Sequence, residues 1–186
     1  MQTLQNLDTE LFLYLNSLHF EWLDPIMELI TRRDTWFPAY LVLVIWLIVR
    51  NRKEAVFQII TIVLAVALAD QICSSVLKPL VARLRPCHEP ALQGLVHIVN
   101  ECGGQFGFCS SHAANGFALA TTIYLFFGKN KFTILIFIWA VIVSYSRIYV
   151  GVHYPLDIIF GALIGASFAN FSFTLVSYFR KKYFNF

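Results

Sequence analysis

The chain has 186 residues, 58% of them hydrophobic and 13% charged, with 18 phenylalanines, a mean hydropathy of +0.66 and a net charge of +3. Soluble domains carry roughly 25% charged residues, so the composition argues against a water-soluble domain. The small, scattered positive charge, without basic-aromatic interleaving, argues against a nucleic-acid binder. The length suits one domain, and its apolar runs approach bilayer length with basic residues between them.

Leu4, Leu7, Leu11, Leu15 and Leu18 recur at helical spacing, whereas Asp8, Glu10 and Asn16 interrupt any membrane span. The pattern predicts an amphipathic helix, lying at the membrane interface or capping the bundle on its water side. Its acidic start, without a basic leader, is unlike a cleaved signal peptide. Asp24-Pro25 predicts a helix start, with Pro in the first turn. The apolar run that follows, through Ile30, is too short to cross a membrane. Residues 1–34 are thus expected to form an N-terminal interfacial region, and residues 35–186 a transmembrane domain.

Five spans are predicted, over 35–49, 55–77, 113–127, 132–145 and 155–179. Trp36, Pro38 and Tyr40 open the first as interface residues would. Asp70 and Gln71 sit late in the second, so that end must face protein or water. Residues 78–111 form a long polar connection containing Gly and Cys.

The turns at 50–53 and 129–131 and the tail at 180–182 hold eight of the 14 Lys and Arg. Five spans put these three regions on one side, which the positive-inside rule makes the cytoplasm. The 78–111 connection and the 147–154 turn then meet on the extracytoplasmic side. Arg32 and Arg33 are an exception there, with Asp24, Glu28 and Asp34 near enough in sequence to offset them.

Lys78, Arg83, Arg85 and Arg147 thereby gather at one membrane edge. Arginine forks and a lysine point charge suit phosphate; lipid head-group anchoring is the plainer alternative, especially for Arg83. Ser110 or Ser111 is placed to cap the helix that follows, whose free N–H groups would favour an anion. His112 falls on its first turn. His153 and Asp157 are four apart, with a helix predicted to begin at Pro155. Asp157 in its first turn could hold one ring nitrogen of His153 and leave the other free to attack. Two histidines and an aspartate could also ligate zinc, but four cations around them disfavour it, and no metal is expected. His19, His88 and His97 lack a comparable setting. Gly161 and Gly165 form a GxxxG pattern of close packing, within the chain or between chains.

These residues resemble the type 2 phosphatidic acid phosphatase (PAP2) superfamily. Its first motif, Lys, six residues, Arg-Pro, is matched by Lys78 through Arg85-Pro86. Its third, Ser-Arg, five residues, His, three residues, Asp, is matched by Ser146-Arg147, His153 and Asp157. The middle motif is usually Pro-Ser-Gly-His and reads Cys109-Ser110-Ser111-His112 here.

The resemblance implies an all-α, PAP2-like membrane bundle and a cofactor-free phosphatase acting on a membrane lipid. His153 would be the nucleophile, Asp157 its orienting partner, and His112 the acid and then the base. Lys78, Arg85, Arg147, Ser110 and the backbone N–H of Ser111 would hold the phosphate. A β-carbon at Ser111 costs something if the site needs glycine's close approach. Cys87, Cys102 and Cys109 lie in the outer connection, where a disulfide is permitted, and any one pair leaves one thiol. Cys109 as a covalent nucleophile is a rival to His153.

The expected substrates are an isoprenyl diphosphate such as undecaprenyl diphosphate, slightly favoured because one tail slots easily between helices, phosphatidic acid, phosphatidylglycerol phosphate or a lipid A phosphate. Phosphotransfer to another acceptor and non-enzymatic lipid-phosphate binding or transport are the readings from other classes. The superfamily's vanadium haloperoxidases are soluble and larger, which five spans oppose. The expected location is the bacterial inner membrane, with the site facing the periplasm.

Overall fold

The computed structural model describes residues 2–99 and 101–184. Helices dominate: α1 Gln2–Ser17, α2 Asp24–Thr31, α3 Phe37–Asn51, α4 Lys53–Gln71, α5 Lys78–Val81, α6 Ser111–Phe127, α7 Lys131–Tyr149 and α8 Pro155–Phe184. A π-helical stretch, Ile72–Leu77, joins α4 to α5, so 53–81 runs as one rod. Such π segments inside helices recur at functional sites.

Local chemistry sets the boundaries. Pro25, Pro38 and Pro155 fall in first turns, where the missing N–H costs nothing. Asn130 caps α7 reciprocally: its Oδ1 accepts from the Thr133 N–H, and Thr133 Oγ1 accepts from the Asn130 N–H, both at 3.0 Å. α6 stops at Gly128, whose φ of +66° suits glycine.

The five predicted spans correspond to α3, the α4–α5 rod, α6, α7 and α8. Among the described residues, three helices are long and apolar enough to cross a membrane: Lys53–Val81, Lys131–Tyr149 and Pro155–Tyr183. α3 and α6 are shorter, at 15 and 17 residues. Large apolar side chains such as Leu41, Val49, Val63, Leu135 and Leu163 face outward, as a bundle solvated by lipid requires.

α6 is the central helix, against α4, α7 and α8. Its buried face is Ala113, Ala114, Ala118 and Ala120, and small residues let helix backbones approach closely. A Cβ built on Gly161 would lie 2.5 Å from the Ser110 carbonyl oxygen, and one on Gly165 would overlap that of Ala114. The GxxxG pattern is therefore used inside the chain, to seat α8 on the start of α6.

α1 turns Leu4, Leu7 and Leu11 outward and Asp8, Phe12 and Asn16 inward. The buried Asn16 amide Nδ2 donates to the carbonyls of His97 (3.0 Å), Ile148 (3.1 Å) and Tyr149 (2.9 Å), while its Oδ1 accepts from the His97 N–H at 2.7 Å. This one side chain ties α1 to the long connection and to the end of α7.

The 78–111 connection folds back on itself. Leu84 and Phe106 form an antiparallel bridge, with Arg85 N–H on the Gln105 carbonyl at 3.1 Å and Gly107 N–H on the Arg83 carbonyl at 2.9 Å. Cys87 and Cys102 are bonded within it. Cys109 is not the leftover thiol: it is bonded to Cys73, in the π segment, and no free cysteine remains among the described residues. The sequence hid this pair because Cys73 sits inside an apolar span. The π segment and the start of α6 place the two Cα atoms 5.4 Å apart, within disulfide reach.

Candidate active site

Three chain segments meet at the α6 N-terminus. Pro155 starts α8, putting Asp157 in its first turn. The Asp157 carboxylate accepts from the Tyr154 N–H at 3.0 Å, and His153 Nδ1 lies 3.3 Å from the same oxygen, Oδ2. Because a carboxylate accepts, the shared proton sits on His153 Nδ1, leaving Nε2 with a free lone pair. Both side chains are fully buried. Burial first, then the positive fields of Arg147, Arg85, Lys78 and Arg83, hold the His153 imidazole well below its ordinary value. It is neutral at neutral pH, as a nucleophile must be.

Ser110 is the N-cap of α6. Its Oγ accepts from the Ala113 N–H at 3.5 Å, and its own N–H donates to the Asp157 carbonyl at 3.0 Å. The second bond fixes α6 against α8 at the level of the carboxylate. Lys78 Nζ reaches Ser111 Oγ at 3.5 Å. Arg85 is buried and donates through Nη1 to the Cys102 carbonyl at 2.6 Å and through Nε to that of Phe106 at 3.3 Å. Arg147 Nη1 donates to Thr31 Oγ1 at 2.6 Å, and its buried Nε has no partner. An unused guanidinium donor inside a protein points to a missing acceptor, and an anion supplies one.

His112 Nε2 lies 3.1 Å from the Thr31 backbone carbonyl. A carbonyl only accepts, so Nε2 carries the proton. Thr31, the last residue of α2, thus touches both Arg147 and His112. Nothing in the sequence of α2 signalled this.

Sequence reasoning also missed Asp8 and left Arg83 open. The Arg83 guanidinium joins Asp157 Oδ1 at 3.1 Å and Asp8 Oδ2 at 2.7 Å, and lies 3.8 Å over the Tyr154 ring. Asp8 Oδ1 in turn accepts from the Leu156 N–H at 2.9 Å. Burial raises the Asp8 carboxyl despite these partners. Arg83 and Arg85 are two apart on an extended stretch and so share one side of it, where Arg83 pairs with Asp157 and Arg85 adds positive field to it. The readable signal was on α1: Asp8, Phe12 and Asn16 recur every four residues, one stripe of a helix whose leucines take the other faces.

Gly107 is packed between two of these groups. A Cβ there would lie 3.1 Å from Asp157 Oδ2 and 3.3 Å from Arg85 Cγ.

An apolar cavity of about 670 Å³ runs from His112 along α3 and α4, and a second of about 400 Å³ lies against α3 and α7. Trp36, Tyr40, Leu43, Leu119 and Trp139 border both.

A buried histidine–aspartate pair beside unspent cations, with apolar cavities alongside, defines a membrane-embedded phosphatase. Residues 59–181 match the PAP2 superfamily model. Two lipid A 4'-phosphatases are similar. That of Bacteroides thetaiotaomicron is 41% identical over 89% of this chain and 75% of that protein. That of Porphyromonas gingivalis is 34% identical over 98% and 78%. An undecaprenyl-diphosphatase of Sulfolobus acidocaldarius is 33% identical over 86% and 73%. The crystal structure of Aquifex aeolicus LpxE superposes with a TM-score of 0.69 at 28% identity, over 90% of this chain and 95% of that one. The chain belongs to the PAP2 superfamily and is a lipid phosphate phosphatase of the bacterial membrane class.

Proposed function

We propose that this enzyme hydrolyses a lipid A phosphate without a metal, through a phosphohistidine on His153. The observation that carries the chemistry is the His153 Nδ1–Asp157 Oδ2 contact, which leaves Nε2 free beside Arg147, Arg85 and Lys78. Nε2 attacks phosphorus, and the bond from phosphorus to the lipid oxygen breaks. His112, protonated on both ring nitrogens beside the bound phosphate anion, gives that oxygen a proton and is left neutral, its Nε2–H still on the Thr31 carbonyl. His112 then takes a proton from water, which attacks the phosphohistidine, and inorganic phosphate leaves. Lys78, Arg85, Arg147, Ser110 and the Ser111 N–H stabilise the equatorial oxygens, where charge resides in phosphoryl transfer.

The choice of substrate moves away from the isoprenyl diphosphate favoured on sequence. Of the relatives compared, those named for lipid A are 41% and 34% identical and those named for undecaprenyl diphosphate 33% and 29%. Apolar cavities on two sides of α3 suit a lipid with several chains better than one with a single tail. In this reading α1 lies in the interface with its leucines in lipid, five helices span the inner membrane, and the site opens to the periplasm.

The test is phosphate release by the detergent-purified protein, in excess EDTA, from lipid A, undecaprenyl diphosphate, phosphatidic acid and phosphatidylglycerol phosphate. Lipid A is expected to have the highest kcat/KM. A higher value for undecaprenyl diphosphate would overturn the substrate, and loss of all activity in EDTA would overturn the metal-free chemistry.

A further inference from the structure

The cavity beside His112 is mostly apolar, yet Arg33, Asp70, His112 and Asn115 stand in its wall. A carboxylate in a membrane-spanning helix is costly unless it faces a cavity and does something there. Asp70 is not used by the phosphate chemistry. It lies eight residues before Lys78 on the α4–α5 rod, about two turns or ~12 Å further into the bundle. Asn115 is one turn from His112 on the same face of α6.

Asn115 Nδ2 donates to Asp70 Oδ1 at 2.9 Å. The carboxylate can only accept there, so the bond fixes the amide orientation and with it the carboxylate. A carboxylate has room for about four hydrogen bonds, and among the described residues the Asp70 side chain receives this one. The same walls hold two polar atoms that the protein leaves buried without partners, Asn115 Oδ1 and Trp139 Nε1. Those two atoms are closed off from an occupant; the acceptor capacity that a purely hydrocarbon occupant would waste is that of the half-buried Asp70 carboxylate in the wall.

We propose that Asp70, oriented by Asn115, is a specificity-determining acceptor that takes a hydrogen-bond donor on the leaving alcohol, an amide N–H or hydroxyl of an acylated sugar. This inference rests on the lipid A reading above. Depth supports it: the phosphate is held at the level of Lys78, where a carboxylate would repel it, while Asp70 lies at the level of the group that departs. Chemistry supports it too. An isoprenyl chain brings no N–H or O–H donor, and a diacylglycerol brings ester oxygens, which only accept. An acylated amino sugar brings both amide N–H and hydroxyl donors. Sites built to bind such a group reject analogues lacking it, because the buried acceptor is then left unpaired.

The experiment compares kcat/KM on two sets of synthetic acyl-sugar phosphates, with phosphatidic acid and undecaprenyl diphosphate as donor-free references. One pair differs only in an amide-linked or ester-linked chain, the other in a hydroxyl or hydrogen beside it. The wild type is expected to prefer the donor-bearing member of at least one pair by about tenfold or more. Asp70→Leu is expected to bring the pair to equal rates, and Asp70→Asn, which keeps the shape, to an intermediate ratio. Equal wild-type rates within both pairs, with the sugar lipids cleaved, would overturn the acceptor role and leave the lipid A reading standing. Full preference retained in Asp70→Asn would also overturn it. Cleavage of a reference lipid and of no sugar lipid would overturn the lipid A reading and this inference with it. Should Asp70→Leu fail to fold, the wild-type ratios and Asp70→Asn decide.

Discussion

Arg83 holds the carboxylates of Asp8 and Asp157 at once, at 2.7 and 3.1 Å, so the N-terminal helix is joined to the carboxylate that orients His153. Asp8 is 4% exposed and Asp157 fully buried, which removes the solvent screening that makes surface pairs weak. Loss of an orienting partner once removed from the reacting group costs on the order of 10–100-fold. Asp8→Asn and Arg83→Met are expected to lower kcat by about that factor with little change in KM, and Arg83→Lys to restore part of it. Steady-state kinetics on the three variants checks this. A pure KM effect would place Arg83 on the phosphate instead.

Gly107 gives a sharper geometric test. Gly107→Ala puts a methyl group 3.1 Å from Asp157 Oδ2, whereas a Cβ on Gly104 meets nothing within 4 Å. The expected result is a roughly tenfold fall in kcat for Gly107→Ala, about what a displaced catalytic group costs, and wild-type activity for Gly104→Ala. Equal behaviour of the two would show that the carboxylate moves freely.

The two disulfides close loops with sequence separations of 36 and 15. Chain-entropy arguments give about 4 and 3 kcal/mol for loops of those lengths. The double variant Cys73→Ala/Cys109→Ala is therefore expected to lower thermal stability more than Cys87→Ser/Cys102→Ser. Thermal unfolding in detergent measures both, and the opposite order would contradict the pairing.

Acid sensitivity follows from His153. Its folded-state value is depressed, so the unfolded chain binds this proton more readily than the folded one. The contribution of His153 to stability is complete above the ordinary histidine value of about 6.5 and declines as pH falls below it. His153→Gln is expected to flatten the decline by up to one proton's worth of slope. Denaturation midpoints between pH 4.5 and 7.5 test this, and an unchanged slope would mean that His153 takes its proton in the fold as easily as in water.

Much of this was readable in one dimension. Charge placement brought the 78–111 connection and the 147–154 turn to one face, and His153, Asp157, Ser110 and Lys78 meet there. Apolar run lengths located the helices, though α3 and α6 are shorter than a full span. The residues that escaped share a cause. Asp8, Thr31 and Cys73 come from α1, the end of α2 and the π segment, and each meets the site only through tertiary contact. Periodicity reports which face of a helix is apolar, not what that face touches. Asp8 on a leucine-rich helix reads as an interruption until Arg83 is seen against it. The Cys109 partner was hidden because a cysteine in an apolar span passes as a small hydrophobe.

The most direct test of the central claim is to trap the phosphoenzyme. The enzyme would be mixed with lipid A labelled in its phosphate, in excess EDTA, and quenched in alkali within milliseconds. Base-stable, acid-labile label on the peptide containing His153, absent in His153→Ala, is the predicted result. Turnover without such label, or label on the Cys109 or His112 peptide instead, would contradict a His153 nucleophile.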